Sequence, residues 1–268
     1  VLTTYSKIVH QALAEDVGTG DVTAQHCLPA SRQAEGVFRA KQPLVLAGGF
    51  LLHLIFTNLE RRKQDGDFVE AGEEIAYVRG SARSLVTHER VALNFLQQLS
   101  GVATMTRRYV EAVAGTKCRI LDTRKTTPGL RMLEKLATRA GGAVNHRFGL
   151  YDAILIKNNH IDLAGGVRAA VTGALASGLP VECEVRTHEE LAEAVELGVT
   201  RVLLDNMTPA QAAEEIRWLN GRASVEISGG VTLETVRAYA ETGADFISIG
   251  ALTHSAPAAD IHFRIRAL

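Results

Sequence analysis

Apolar and polar positions alternate in two different rhythms along this chain. From residue 118 onward, short apolar runs are separated by segments of helical spacing. The runs are "CRILDT" (118–123), "DAILIK" (152–157), "VECEV" (181–185), "RVLLDN" (201–206), "SVEISGG" (224–230) and "FISIGAL" (246–252), and each predicts a strand. Segments such as "THEELAEAVELG" and "TLETVRAYAETG" lie between them and end in glycine, a common helix terminus. Repeated strand–helix units predict parallel strands. Six units in so short a stretch predict a βα barrel with an irregular or missing unit, with a doubly wound open sheet as the competitor.

Before residue 118 the pattern is less regular. "VLTTYSKIVHQALAEDVG" reads as an amphipathic helix with Ile8, Val9, Ala12 and Leu13 on one face. "EGVFRAKQPLVLAGG" predicts two strands around Pro43, and "GDFVEAGEEIAYVRGSARSLV" more short strands with glycine turns. "HERVALNFLQQLSGVATMTRRYVEAVAG" predicts a helix, with Val91, Leu93, Phe95, Leu96 and Leu99 as its apolar surface. "DVGTGDVT" contains GxG but follows a helix rather than a strand, so it reads as a turn and not a dinucleotide fingerprint.

Composition narrows the class. With 268 residues and 46% hydrophobic content the chain can bury one large core or two modest ones. A net charge of −1 argues against a sequence-independent nucleic-acid binder, so any anion site must be local. No apolar run reaches the roughly 18 residues of a membrane span, and the start lacks the blocks of a signal peptide. Cys27, Cys118 and Cys183 are widely spaced and form no metal or redox motif. They predict buried thiols and a cytoplasmic protein.

Polar residues collect at the C-terminal ends of the predicted strands, the rim where βα barrels carry their chemistry. They are Thr123, Arg124 and Lys125; Lys157; Glu184; Asp205 and Asn206; Ser228, Gly229 and Gly230; and Gly250. In "LDTRKTTPGLR", Thr127 as N-cap and Pro128 at N1 predict a helix that pins Arg124 and Lys125 in a tight loop. A guanidinium holds a carboxylate or phosphate with two bonds, and an ammonium adds a point charge. A solvated loop is the bland alternative. "NHRFGLYDAILIKNNH" adds His146, Arg147, Lys157 and His160, the last in a predicted loop. So many cations on one rim call for a substrate with two or more negative groups.

In "VECEV", Glu182 and Glu184 share the face opposite Val181, Cys183 and Val185, and look into the barrel. Buried carboxylates need partners. Glu184 with Asp205 can bind a divalent metal, accept hydroxyl hydrogen bonds or neutralise the cations. "SGG" (228–230) and "IGA" (249–251) are glycine turns suited to a phosphate at the start of a following helix. Arg90, placed near a helix start where the dipole favours anions, hints at a role in a site.

In this order "EDVGTGDVT", "ERVALNFLQQLSGVAT", "LDTRKTTPGLR", "GGAVNHRFGLYDAILIKNNH", "VECEV", "VLLDN", "EISGG" and "IGALTHS" resemble the quinolinate phosphoribosyltransferase family, over nearly the whole chain. The resemblance implies a type II phosphoribosyltransferase-like α/β fold. Its N-terminal α/β sandwich covers residues 1–103 with a return of 256–268, and an incomplete α/β barrel of about seven strands covers 104–255. It implies a homodimer with shared active sites, or a hexamer as a trimer of dimers. The implied reaction joins quinolinate and phosphoribosyl pyrophosphate, with Mg2+, to give nicotinate mononucleotide, pyrophosphate and carbon dioxide.

By the same resemblance Arg124, His146, Arg147 and Lys157 bind the quinolinate carboxylates, and Arg90 reaches in from the partner subunit. Lys125, beside Thr123, meets the pyrophosphate and ribose. Glu184 and Asp205 hold the ribose hydroxyls or the metal, directly or indirectly. Ser228, Gly229, Gly230, Gly250 and Ala251 cradle the 5′-phosphate, with His254 nearby. Lys125, Lys157, Glu184 and Asp205 form the implied catalytic set. Asn158 departs from the family, which often carries an acidic residue there. The rivals are a nicotinate-specific or drifted transferase of the same fold, a phosphate-binding isomerase or aldolase using Lys157, and a non-catalytic scaffold.

Overall fold

The computed structural model describes residues 2–268, with side chains from Thr4 onward. In chain order the elements are α1 (Leu2–Val17), α2 (Val22–Cys27), β1 (Gln33–Ala40), β2 (Leu44–Val45), α3 (Leu52–Ile55), β3 (Leu59–Arg61), β4 (Phe68–Val69), β5 (Glu74–Ser81) and α4 (Ala82–Ala112). There follow β6 (Arg119–Leu121), α5 (Arg131–Ala140), β7 (Ile154–Ile156), α6 (Asn158–Ala164), α7 (Val167–Leu175), β8 (Val181–Val185) and α8 (His188–Glu196). The chain ends with β9 (Arg201–Asp205), α9 (Pro209–Leu219), β10 (Ser224–Ser228), α10 (Val236–Ala240), β11 (Phe246–Ser248), α11 (Ala251–His254) and β12 (Ile261–Ala267).

These elements form two compact units. One gathers Val1–Arg107, Thr126–Gly142 and Leu252–Leu268; the other gathers Arg108–Lys125 and Ala143–Ala251. The segment around α5 therefore groups with the first unit, although the sequence reading draws its boundaries only at 103/104 and 255/256. Leu133 and Ala137 of α5 are fully buried in a core with Tyr5, Val9, Leu51, Leu99, Val102 and Ala103.

The first unit carries a four-stranded antiparallel sheet in the order β12-β1-β5-β3. Phe38 of β1 lies opposite Phe263 of β12, and their rings stack at 4.0 Å. The strand pattern after Gly72 ends at Ser81, and "ARSLV" belongs to α4 rather than to a strand. Helical spacing explains this: Ala82, Leu85, Ala92, Leu93 and Leu96 all face the same buried cluster. Because α4 begins at Ala82, six residues earlier than the sequence suggests, Arg90 sits beyond the second turn. The helix dipole acts within the first turn, so the argument from a misplaced charge falls away.

The second unit is a parallel sheet in the order β6-β11-β10-β9-β8-β7. A parallel bridge between Leu121 and Val144 adds a seventh strand position beside β6. The order therefore runs from Val144 at one end to β7 at the other, an incomplete α/β barrel. Helices α6 to α10 connect its strands, as the alternation predicts.

Three further expectations are corrected. Thr127 does not cap a helix, since α5 starts at Arg131. Pro128 and Gly129 instead form a turn closed by Leu130 N–H to Thr127 O at 3.0 Å, with Gly129 at φ +80°. A proline followed by a glycine of positive φ is the signature of a type II turn, which a helix cannot continue. Thr127 donates its N–H and its hydroxyl to the buried carboxylate of Glu134, at 3.0 and 2.6 Å. His160 lies in the first turn of α6, not in a loop, where its Nδ1 accepts the Lys157 N–H at 2.9 Å. Cys118 and Cys183 are buried, but Cys27, in the short surface helix α2, is exposed.

Gly101 tests the packing around α4. A Cβ there would lie 2.1 Å from the carbonyl oxygen of Pro257, which cannot rotate away. Alanine gains about 1 kcal/mol of helix propensity, but overpacking against backbone costs about 1–3 kcal/mol. Gly101→Ala should therefore lower stability by up to about 2 kcal/mol in urea unfolding followed by circular dichroism; a raised midpoint would contradict the packing.

Candidate active site

The rim is assembled from loops that leave the parallel strands. After β6, Thr123 Oγ1 accepts the Lys125 N–H at 3.0 Å and turns the chain tightly. Arg124 is half-buried and Lys125 exposed. After the Val144 bridge, Arg147 donates from Nη1 to the Ala153 carbonyl at 2.9 Å. Its loop is clamped by Asp152, which accepts the N–H groups of Phe148 and Gly149 at 2.7 and 3.1 Å. Burial, and then the positive charge of Arg124, hold the Arg147 guanidinium below its ordinary value. Two guanidiniums that feel each other in a partly desolvated place form a site for an anion.

A second cluster mixes charges. Lys157, at the end of β7, pairs with Glu184 of β8 at 2.7 Å. Glu184 also accepts the Asn158 N–H at 3.3 Å, while Asn158 Oδ1 accepts the N–H of Asn159. The departure at Asn158 is thus absorbed by local hydrogen bonds. Burial and then the charge of Glu184 raise the Asp205 carboxyl, against Asn206, Lys157 and Lys125, which lower it. Asp205 is level with Ser228 of β10 in the sheet register.

The glycine turns follow. Gly229 has φ +101°, and a Cβ there would lie 2.2 Å from Asn206 Oδ1. Only glycine fits this close approach. The helix after this turn begins at Val236, later than expected, whereas α11 starts at Ala251 directly after Gly250. Arg90 is exposed on α4, and His254 closes α11 with Nδ1 2.6 Å from Ser255 Oγ. Both belong to the first unit; the remaining candidates all lie in the second.

Beneath the rim is a charged interior. His146 Nε2 lies 3.0 Å from Glu182 and 3.4 Å from Glu226. Arg201 spans the same two carboxylates, with Nε 2.9 Å from Glu182 and Nη2 2.7 Å from Glu226. Asp122, fully buried, accepts the His146 N–H at 2.9 Å and Asn145 Nδ2 at 2.6 Å. Burial disfavours a charged His146, while hydrogen bonds and charge from Glu182 and Glu226 favour one. The Arg147 N–H, donated to Nδ1 at 2.7 Å, opposes a second ring proton. We therefore assign the Nε2–H tautomer from the hydrogen bonds.

His146, Glu182 and Glu226 offer ligand atoms within 4.8 Å of one another. With its proton on Nε2 the ring offers no lone pair there, and Arg201 already binds both carboxylates, so this trio does not call for a metal.

Sequence reasoning found Glu182 by its alternation but missed Asp122, Arg201 and Glu226. Glu226 carries the same signal, a carboxylate between Val225 and Ile227 on a buried strand.

Comparison with known proteins matches both halves of the chain to family models. Residues 21–100 match "Quinolinate phosphoribosyl transferase, N-terminal domain", and residues 102–264 match its C-terminal domain. The probable nicotinate-nucleotide pyrophosphorylase [carboxylating] of Bacillus subtilis is 42% identical over 95% of this chain and 91% of its own. A chloroplastic nicotinate-nucleotide pyrophosphorylase [carboxylating] of Arabidopsis thaliana is 41% identical over 96% of this chain and 82% of its own. The crystal structure of NadC from Streptococcus pyogenes superposes with a TM-score of 0.95 at 38% identity, covering 100% of this chain and 98% of that one.

The raised Asp205 carboxyl has a stability sign. Its proton is held more tightly folded than unfolded, so the ionised form destabilises above the folded value and the penalty vanishes as pH falls below the unfolded one. Asp205→Asn should raise the thermal midpoint by about 2 °C at neutral pH while lowering turnover. A lowered midpoint by calorimetry would contradict the repulsion.

Proposed function

We propose that this chain, which belongs to the quinolinate phosphoribosyltransferase (decarboxylating) family and transfers the phosphoribosyl group of phosphoribosyl pyrophosphate to quinolinate in NAD biosynthesis, divides its rim between two anionic substrates. Its products are nicotinate mononucleotide, pyrophosphate and carbon dioxide. What supports the division is that Arg124 acts on Arg147, while Lys157, Glu184, Asp205 and Lys125 interact with one another.

On this reading Arg124 and Arg147 form the dicarboxylate end, with Arg90 reaching in from a partner subunit, and His146 supports them from beneath with both ring nitrogens bonded within the protein. Lys157 stands at the junction. Glu184 and Asp205 accept the ribose hydroxyls, Lys125 faces the pyrophosphate, and Thr123 shapes its loop. Ser228, Gly229, Gly230, Gly250 and Ala251 take the 5′-phosphate, with His254 beside them. The donor set fits Mg2+: Glu184 and Asp205 offer oxygen donors, directly or through water, whose mutual repulsion a divalent cation would relieve. Bound there with the pyrophosphate, the ion would neutralise the charge of the leaving group.

The pyridine nitrogen attacks C1 of the ribose as the C1–oxygen bond to pyrophosphate breaks. The carboxylates of Glu184 and Asp205 face the positive charge that develops on the sugar, and Lys125 faces the departing oxygens. As carbon dioxide leaves, the electron pair of the C–carboxylate bond stays on the ring carbon, stabilised by the adjacent quaternised nitrogen, and a solvent proton then bonds to that carbon. No side chain becomes a nucleophile; positioning and electrostatics carry the reaction.

The working assembly is a homodimer with shared sites, or a hexamer made of three such dimers. The cytoplasm, as a reducing compartment, suits three free cysteines. No described helix is long and apolar enough to cross a membrane.

Arg124→Ala should raise the KM for quinolinate and lower turnover by about 100-fold; steady-state constants equal to those of the parent would remove Arg124 from the clamp. Inactive Arg90→Ala and Lys157→Ala subunits, mixed and allowed to exchange, should recover part of the activity. No recovery in confirmed mixed dimers would count against shared sites.

A further inference from the structure

We propose that Glu182 and Glu226, bridged from the strand start by Arg201, are positioning residues for the dicarboxylate clamp, acting through the His146 ring on the backbone of Arg147. The inference rests on Arg147 being a ligand of the substrate carboxylates.

The geometry of His146 carries it. Nε2 faces Glu182 at 3.0 Å and Glu226 at 3.4 Å, so the proton on that nitrogen is directed into the barrel interior. Nδ1 accepts the Arg147 N–H at 2.7 Å. Both ring nitrogens are therefore engaged within the protein, and the ring side chain is only 11% exposed. A ring so placed fixes the peptide from which the Arg147 guanidinium projects. Asp122 holds the same peptide segment from the other side through the His146 N–H at 2.9 Å.

The network reaches down to the opposite ends of the strands. Arg201 opens β9 and binds both glutamates, and its guanidinium lies 4.8 Å over the ring of Phe246 in β11. Arg201 is level with Ser224 in the register, two residues before Glu226. The two buried carboxylates are thus held by a cation on one side and an imidazole on the other. Glu226, 0% exposed, keeps one oxygen, Oε1, without a hydrogen-bond partner. Its orientation is set by Arg201 and His146 acting on the other oxygen. Removing one carboxylate charge frees the ring to turn, and the Arg147 N–H loses its acceptor. A displacement of about 1 Å in a substrate-binding group costs up to about 100-fold in rate.

A charge cluster that only stabilises the fold would weaken both substrates together. A positioning role predicts a split. In the full-length enzyme, Glu226→Gln should raise the KM for quinolinate about tenfold while the KM for phosphoribosyl pyrophosphate stays within about twofold. His146→Phe should reproduce that split. In an Arg147→Ala background, Glu226→Gln should add less than about a twofold further change, because the path to the substrate is already cut. Glu182→Gln provides a second, independent variant, and thermal melting reports which variants fold. Equal shifts in both KM values, or effects of Glu226→Gln and Arg147→Ala that multiply in full, would overturn the proposal. So would the unfolding of both glutamine variants, which would make the cluster a folding element only. Parent enzyme with no quinolinate turnover would instead sink the substrate reading itself, a separable outcome.

Discussion

Charge balance inside the parallel sheet is the constraint on which the second unit rests. Glu182 and Glu226 are all but inaccessible to solvent, and a buried carboxylate deprived of its partner costs about 3–5 kcal/mol. Arg201 and His146 supply that partnership from opposite directions. In doing so they tie together β8, β9, β10 and the segment after Val144, with Phe246 of β11 beneath the guanidinium. Most βα barrels fill this space with branched apolar side chains. Here the sheet is incomplete, and directional bonds do the work that tight apolar layers do elsewhere.

The rim above follows the opposite rule. Arg124 and Arg147 raise each other's energy, and Glu184 does the same to Asp205. These groups are held in place by loops whose own hydrogen bonds are well made: Asp152 under Arg147, Glu134 under Thr127, Asn158 beside Glu184. The interior pairs opposite charges across strands, whereas on the rim like charges meet. Such a division is what function at the expense of stability looks like at the level of side chains.

Much of this was legible in the sequence because short buried strands announce themselves. All six apolar runs after residue 118 contain the strands, and the alternation in "VECEV" correctly turned Glu182 and Glu184 to one side. The seventh strand position was not legible, since a single bridge at Val144 leaves no periodic trace. The Thr127–Pro128 pair misled because a capping signal and a type II turn share their first residues, and Gly129 decides between them. Arg90 misled because "SARSLV" has enough β-branched and apolar character to hide the true start of α4. Arg201 and Asp122 escaped notice for another reason. Their partners lie far away in sequence, at Glu182, Glu226 and His146, and local pattern carries no record of such pairings.

The pairing of β12 with β1 bears on how the protein is made. Residues 34–40 find their partners in residues 261–267 across seven register positions, and Phe38 stacks on Phe263. During synthesis β1 emerges early, and one of its edges stays unpaired until almost all of the chain has followed. The second unit, encoded between the pieces of the first, can assemble meanwhile. Vectorial folding from the N-terminus, the usual order for a two-unit chain, is thus reversed. The waiting strand is an open edge of the kind that recruits other chains, so a nascent protein of this design is exposed to aggregation until β12 leaves the ribosome.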